Sequence, residues 1–355
     1  MATPEIENLN VAAFDTMPTP QEMHALFPLS EKAANTVRAG RKQLEEILAH
    51  KDKRLFCIVG PCSIHDTVAG FDYAQRLCAL SHKVKDSMVL VMRVYFEKPR
   101  TSVGWKGFVN DPHLNDSFCI AEGMQRARQF LLEVAGLGLP AAAEALDPVS
   151  PQYLGDLISW TAIGARTTES QTHREMASGL STPVGFKNGI DGNVDSMVNA
   201  LLSAMHPHSF LGINAQGLSS IIRTKGNPYC HIVLRGGQSG PNYSSAHIAQ
   251  AEAALQKAKL PCNIVVDCSH ANSQKNHHKQ PLVFADCLQQ RIEGNPSIVG
   301  FMLESFLEEG HQSIPKDLSQ LHYGLSVTDA CMGWQSTESL LLEAHDKLMQ
   351  RMPPA

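Results

Sequence analysis

Short apolar runs recur along most of this chain, and segments that can be helical lie between most of them. Eight such runs are evident, at 55–59, 88–92, 139–145, 160–163, 183–186, 232–234, 264–266 and 298–303. The segments that can be helical include 69–82, 121–136, 194–205, 246–259 and 281–293. Buried runs that alternate with helices indicate βα units and a parallel sheet. Eight runs favour a closed (β/α)8 TIM barrel, with an open doubly wound sheet as the alternative.

Two segments depart from this rhythm. Residues 1–52 contain four prolines and few long apolar runs, which predicts an N-terminal extension made of an arm and a helix at 31–50 that Ser30 caps. Residues 53–355 would form the barrel. Within it, two apolar stretches flank Ala-Gln-Gly and predict an inserted β-hairpin at about 209–223. We expect the extension to pack on the barrel or on another subunit.

Composition excludes several classes of protein. The 355 residues carry a formal net charge of −5 and only 6% aromatics, so nothing predicts a nucleic-acid surface. No apolar run approaches the roughly 18 residues of a membrane span, and the N-terminus does not resemble a secretory signal. These features predict a cytoplasmic chain. Nine cysteines are an odd number, and without a signal they predict mostly buried residues rather than a disulfide framework.

Charged residues follow the apolar runs, at the place where barrels carry their chemistry. One set is cationic and comprises Arg93, Lys98, Arg100, Arg166, Lys187 and Arg235. So many cations at one mouth would repel each other unless an anionic ligand neutralised them. Arg and Lys also match the oxygens of phosphate and carboxylate groups. The pattern predicts one or two small polyanionic substrates that carry phosphate.

A second set combines a thiol, an imidazole and two carboxylates, and comprises Cys62, His270, Glu304 and Asp329. Such a mixed set suits a divalent transition metal, although wide spacing leaves ordinary structural roles open. The pair His277–His278 lies in a polar run and is interpreted as exposed surface. The sequence contains no P-loop motif (G-x-x-x-x-G-K-[ST]), no dinucleotide-binding motif (G-x-G-x-x-G) and no nucleophile-elbow motif (G-x-S-x-G).

Together these motifs resemble the type I 3-deoxy-D-arabino-heptulosonate 7-phosphate (DAHP) synthases. The matching stretches are GPCSIHD (60–66), RVYFEKPRT (93–101), GARTTESQTHRE (164–175), PVGFKNG (183–189), LRGG (234–237), VDCSH (266–270) and SVTDA (326–330). The resemblance implies a (β/α)8 barrel with an N-terminal extension. It also implies condensation of phosphoenolpyruvate with D-erythrose 4-phosphate and water, the first step of the shikimate pathway to aromatic amino acids.

The resemblance assigns roles to individual residues. One divalent ion (Mn, Fe, Co or Zn) would be bound by Cys62, His270, Glu304 and Asp329. Phosphoenolpyruvate would be held by Arg93, Lys98, Arg166, Lys187 and Arg235, and erythrose 4-phosphate by Arg100 and Thr101. The metal would polarise the aldehyde, Lys98 would donate a proton to its oxygen, and Glu144 would orient or deprotonate the water.

Feedback inhibition by an aromatic amino acid is also implied, at the inserted hairpin. The candidate effector residues are Pro151, Gln152, Leu180, Ser181, Phe210, Gly212 and Ile222. Gly212 favours tyrosine, because phenylalanine-sensitive relatives carry Ser at this position, and phenylalanine is the alternative. Relatives are dimers or tetramers, so we expect a homodimer or homotetramer without nucleic-acid or membrane partners.

Two other functions stay open at this point. The first is 3-deoxy-D-manno-octulosonate 8-phosphate synthase, which applies the same chemistry to arabinose 5-phosphate. The Lys-Pro-Arg-Thr stretch at 98–101 and the inserted hairpin favour erythrose 4-phosphate. The second is an inactive barrel that senses an amino acid, which would require a lost ligand or cation. None of the expected set is missing from the sequence.

Overall fold

A computed structural model describes residues 6–100 and 102–351, and within these ranges the chain forms ten strands. The strands are β1 Leu55–Gly60, β2 Met88–Arg93, β3 Ala141–Glu144, β4 Trp160–Ile163, β5 Val184–Lys187, β6 Ser209–Ile213, β7 Ser219–Arg223, β8 Cys230–Leu234, β9 Ile264–Asp267 and β10 Ile298–Glu304. Eight of these described strands close into a parallel barrel in the order β1-β10-β9-β8-β5-β4-β3-β2. The predicted (β/α)8 fold is confirmed.

Most of the helices cover the outside of the barrel. Those in the described ranges are α1 Pro20–Leu26, α2 Glu31–Leu48, α3 Thr67–Val84, α4 Ile120–Leu137, α5 Ser150–Leu154, α6 Gln171–Ala177, α7 Val194–Ala204, α8 Ser245–Lys257, α9 Gln280–Ile292 and α10 Trp334–Arg351. Most barrel strands are buried along their whole length, since helices cover one face and the interior covers the other. None of the helices in the described ranges combines the length and hydropathy that a bilayer crossing requires.

The helix α2 closes one end of the barrel. The hydroxyl of Ser30 caps it by accepting a hydrogen bond from the amide of Ala33 at 3.2 Å. Its last turns bury Leu44, Ile47 and Leu48 in the same cluster as the side chains that fill the barrel interior. This plug leaves the carboxyl ends of the strands as the open mouth, which is where a barrel carries its site.

The N-terminal arm contains a short helix, α1, which was not predicted because prolines are frequent in this region. Thr19 and Glu22 form a capping box at the start of α1, with the Thr19 amide 2.8 Å from Glu22 Oε2. The arm then contacts the inserted hairpin, because the amide of Gln21 donates to the carbonyl oxygen of Ala215 at 2.8 Å. This contact ties the N-terminal segment to the strand pair β6–β7.

The hairpin itself is antiparallel and only half-covered. Its register pairs Ser209 with Arg223 and Ile213 with Ser219. Alternate residues along both strands are exposed, including Leu211 at 85% and Ile221 at 64%. The covered side of the hairpin faces the barrel, and its other side presents apolar side chains to solvent.

Candidate active site and effector cavities

The carboxyl ends of the strands bring the predicted charged residues to one mouth. Arg93 ends β2, Glu144 ends β3, Lys187 ends β5 and Glu304 ends β10, while Arg235 directly follows β8. The strands of a closed parallel barrel all end on the same side, so these side chains share one mouth. Their positions follow from the strand ends that the sequence predicts.

Three of the four predicted metal ligands form a tight group at this mouth. Donor atoms of Cys62, Glu304 and Asp329 all lie within 4.8 Å of one another. The Nε2 atom of the fourth, His270, lies 3.8 Å from Glu304 Oε1. A thiolate and two carboxylates at this separation repel one another unless a cation joins them, and an imidazole completes a donor set typical of divalent transition metals. The residues present fit one such ion.

Lys98 touches the same group of ligands. Its Nζ atom donates to Cys62 Sγ at 3.1 Å and to the carbonyl oxygen of Cys62 at 3.0 Å. Burial and the Glu304 carboxylate raise the pKa of the Cys62 thiol, and Lys98 acts against this shift. A bound metal would favour the thiolate in the same direction as Lys98 does.

A buried carboxylate orients His270, and sequence reasoning assigned it no role. Asp267 Oδ2 lies 2.9 Å from His270 Nδ1 and accepts from Lys187 Nζ at 2.8 Å. Burial favours the neutral acid, yet His270 and Lys187 hold the pKa of Asp267 well below its usual range. His270 Nδ1 also lies 2.7 Å from the Ser269 hydroxyl, which donates to Asp267 Oδ1 at 2.6 Å, so these contacts hold Nδ1 and leave Nε2 on the side of Glu304. The only sequence signal for this role is the place of Asp267 in the 266–270 motif.

Arg93 is buried and forms an ion pair with Glu304, one of the candidate metal ligands. Its Nη2 atom donates to Glu304 Oε1 at 3.0 Å, and its Nε donates to the carbonyl oxygen of Pro61 at the same distance. The guanidinium stacks 3.6 Å from the ring centre of Tyr95. These contacts fix the charge of Arg93 beside the mouth and orient Glu304.

The remaining predicted cations differ in their surroundings. Arg235 is partly buried, and burial together with the nearby charge of Arg166 lowers its pKa, which Asp267 opposes. Two guanidinium groups whose charges repel each other favour a bound anion nearby. Arg100 is exposed and donates from Nε to the carbonyl oxygen of Trp105 at 2.8 Å. The predicted contact residue Thr101 lies outside the described residues.

Glu144 places a buried carboxylate oxygen at the mouth. Its Oε1 atom is buried and has no hydrogen-bond partner among the described residues. A Cβ atom on Gly164 would lie 2.2 Å from this oxygen, so the glycine leaves the space that the carboxylate occupies. A buried acceptor without a partner is costly, and a bound water or substrate hydroxyl would satisfy it.

A cavity of about 410 Å³ connects Glu144 with a second buried acid, Glu97. Glu97 is only 8% exposed and accepts a hydrogen bond from the hydroxyl of Ser150 at 2.9 Å. Burial raises the pKa of Glu97 to about 8. Glu97 directly precedes Lys98 in the chain. Its sequence neighbours give no sign of burial, so the sequence did not identify Glu97 as a functional residue.

The seven predicted effector residues surround two cavities that share part of their lining. Four line the larger cavity, namely Pro151, Gln152, Leu180 and Ser181. A smaller cavity of about 120 Å³ is lined by Phe210, Gly212 and Ile222 together with three of those four. A Cβ atom on Gly212 would lie 2.9 Å from Ile222 Cδ1, so glycine widens the smaller cavity.

Comparison with known proteins places these features in one family. A family model described as "DAHP synthetase I family" matches residues 27–342. The Tyr-sensitive phospho-2-dehydro-3-deoxyheptonate aldolase of Escherichia coli (strain K12) is 52% identical over 343 residues, which cover 97% of this chain and 96% of the relative. The Phe-sensitive enzyme of the same strain is 50% identical over 345 residues, with coverage of 97% and 98%.

A solved structure agrees with the sequence matches. The phospho-2-dehydro-3-deoxyheptonate aldolase from Francisella tularensis SCHU S4 superposes with a TM-score of 0.94 at 44% identity. The superposition covers 97% of this chain and 100% of that one. Fold, sequence and the arrangement of the mouth therefore agree, and the chain belongs to the DAHP synthetase I family.

Proposed function

We propose that this chain is a DAHP synthase, which condenses phosphoenolpyruvate with D-erythrose 4-phosphate and water to give DAHP and inorganic phosphate. The observation that carries this proposal is the convergence of a cationic set and a metal-ligand group on one barrel mouth. Family membership over residues 27–342 supports it.

Phosphoenolpyruvate carries a phosphate and a carboxylate, which the cations of the mouth would neutralise. Arg166 and Arg235 lie close enough for their charges to interact, and an anionic group of the substrate would relieve this repulsion. Lys98, which contacts Cys62, and Lys187, which contacts Asp267, would add two point charges. Arg100 is exposed at the rim, where it would meet the phosphate of erythrose 4-phosphate.

The metal would be held by Cys62, His270, Glu304 and Asp329, and a bound divalent ion supplies Lewis-acid polarisation of the aldehyde oxygen. Lys98 would donate a proton to that oxygen as carbon 3 of phosphoenolpyruvate attacks the carbonyl carbon. Burial disfavours the charged amine, but Cys62, Glu304 and Glu144 together outweigh this effect and raise the pKa of Lys98. The amine is therefore protonated at neutral pH and able to donate.

Glu144 would act in the second half of the reaction. Attack by carbon 3 leaves cationic character on carbon 2, where water adds. The buried Oε1 atom of Glu144 would accept the proton of this water. Phosphate then leaves by cleavage of the bond between carbon 2 and the bridging oxygen, and the ketone of DAHP forms.

Tyrosine is the effector that the cavities favour, with phenylalanine as the alternative. Gly212 leaves space beside Ile222 that a phenol hydroxyl would require, and a side chain at this position would fill it. The larger cavity brings Pro151, Gln152 and Glu97 together, so an effector bound there lies next to the residue that precedes Lys98.

A homodimer or homotetramer is the assembly that we propose. The exposed apolar side chains of the hairpin and the N-terminal arm would be covered by a second subunit. These side chains include Leu211, Leu218, Ile221, Leu9 and Phe14. The N-terminal extension (1–52) would then contribute contacts between subunits.

Turnover of two aldoses tests the proposed substrate. The full-length chain is supplied with a divalent metal, phosphoenolpyruvate and either erythrose 4-phosphate or arabinose 5-phosphate, and phosphate release is measured. Faster turnover of erythrose 4-phosphate is expected. Preference for arabinose 5-phosphate would indicate the related octulosonate synthase, and lack of turnover with both would indicate a sensor without catalysis.

A further inference from the structure

A second cluster of metal-binding side chains lies outside the proposed catalytic group. His277 and His278 belong to the short helical turn His277–Lys279 before α9, and Glu309 lies in the segment after β10. Their donor atoms all lie within 4.8 Å of one another. The sequence alone suggested an exposed polar run for the two histidines, because it could not show that a carboxylate from another segment approaches them.

The geometry of this cluster is close to that of a coordination sphere. The two imidazole rings lie with their centres 3.9 Å apart. The Asn276 side chain accepts from the amide of His278 at 3.0 Å and holds the turn that places both rings side by side. Zinc-type ions bind imidazole nitrogen at about 2.0 Å, which puts tetrahedral donors about 3.4 Å apart. The donors, which lie within 4.8 Å of one another, would therefore have to move closer by up to about 1.4 Å to bind one ion.

Several charged and titratable groups surround the cluster. Burial and the neighbouring charges of His278 and His311 lower the pKa of His277, against the effect of Glu309. Glu309 forms no salt bridge with a lysine or arginine within residues 6–100 and 102–351. Its carboxylate therefore remains available.

A third cluster in the described ranges lacks these properties. In the group His113, Cys119 and Glu122, the imidazole already lies 2.9 Å from a Glu122 oxygen, and Arg126 pairs with the same carboxylate at 3.6 Å. Its donors are thus engaged with one another or with a cation. The contrast singles out the cluster around His277.

We propose that His277, His278 and Glu309 form a second divalent transition-metal site, separate from the Cys62 group. Two imidazoles and one carboxylate suit Zn²⁺, Co²⁺, Ni²⁺ or Cu²⁺, with water in the remaining position, and disfavour Mg²⁺ or Ca²⁺. The site joins the segment that follows β9, which carries His270, to the segment that follows β10. A bound ion would clamp these two segments together.

Cobalt titration of the full-length, metal-free chain tests this proposal. The wild type should bind two Co²⁺ per chain, and the double variant His277→Ala/His278→Ala should bind one. The variant Cys62→Ser should lose the thiolate-to-cobalt charge-transfer band yet keep one site with nitrogen and oxygen ligands. Glu309→Gln should weaken this site by about tenfold or more, because it loses a charged ligand.

A matched control separates the cluster from surface histidines in general. His206 is exposed and lies outside the cluster, so His206→Ala should bind cobalt as the wild type does. Circular dichroism checks that each variant is folded. The proposal is overturned if the wild type binds one equivalent only, or if the second equivalent persists when both histidines are removed.

Discussion

Glu97 provides a quantitative test of how the cavity next to the mouth is built. Its carboxyl is only 8% exposed, and burial raises its pKa to about 8 from an ordinary value of 4.5. The Ser150 hydroxyl donates to it at 2.9 Å. The folded chain therefore keeps a proton on Glu97 at neutral pH, whereas the unfolded chain has lost it. The substitution Glu97→Gln keeps the shape and the acceptor for Ser150 but removes the titration.

The sign and size of the effect follow from proton binding. Between pH 4.5 and about 8 the folded state binds more protons at this position than the unfolded state, so the wild type loses stability as pH rises through this window. Above about pH 8 both states are ionised and the loss is complete. At 1.36 kcal/mol per pH unit, the full window corresponds to about 5 kcal/mol as an upper limit.

The assay compares unfolding of the wild type and Glu97→Gln at pH 5 and at pH 8.5. The variant should gain stability relative to the wild type by several kcal/mol between the two pH values, since it does not have to ionise a buried carboxyl. Glu308→Gln, at an exposed carboxylate, serves as the control and should show no such gain. A stability difference for Glu97→Gln that does not change with pH would refute the reasoning.

Three further predictions concern the ligand group and the effector cavity. Cys62→Ala should lose bound metal and at least about 100-fold in turnover, measured by metal analysis and phosphate release, whereas Cys119→Ala at an exposed cysteine should keep both. Asp267→Asn should weaken metal binding by about 10–100-fold, because His270 loses the carboxylate that orients it, and unchanged affinity in a metal titration would contradict this. Gly212→Ser should weaken inhibition by tyrosine with kcat retained, and equal inhibition of both forms would remove the role of this position.

The strands and the mouth could be predicted because local patterns determine them. The apolar run at 55–59 corresponds to strand β1 Leu55–Gly60, and the apolar run at 264–266 corresponds to strand β9 Ile264–Asp267. Strands buried on both faces are continuous apolar segments, which a sequence displays directly. The charged residue that ends each segment then falls at the mouth by topology alone. The sequence therefore predicts the metal and substrate candidates as a set without knowledge of their distances.

The remaining features depend on contacts between distant parts of the chain. Glu97 is buried because Ser150 and the walls of the cavity enclose it, and no pattern near residue 97 encodes that. The role of Asp267 depends on Lys187 and His270 meeting it in space. Helix α1, in contrast, has a local sequence signal, because Thr19 and Glu22 form a capping box. The surrounding prolines nevertheless favoured an extended arm in the sequence-based prediction.

The cysteines show both what the sequence predicts and what only the folded chain reveals. All nine lie in the described ranges as free thiols, which agrees with the prediction that they form no disulfide framework. Cys62 is buried at the mouth among the candidate ligands, whereas Cys119 is exposed. Composition predicted the general class, and only the fold separates a candidate ligand from a surface thiol.

The central claim is that this mouth joins phosphoenolpyruvate to erythrose 4-phosphate with loss of phosphate by carbon–oxygen cleavage. The most direct measurement uses phosphoenolpyruvate labelled with ¹⁸O in the bridging position, together with erythrose 4-phosphate and the metal-loaded chain. DAHP is expected as the product, with the label recovered in inorganic phosphate. Phosphate without the label, or no phosphate release that depends on erythrose 4-phosphate, would contradict it.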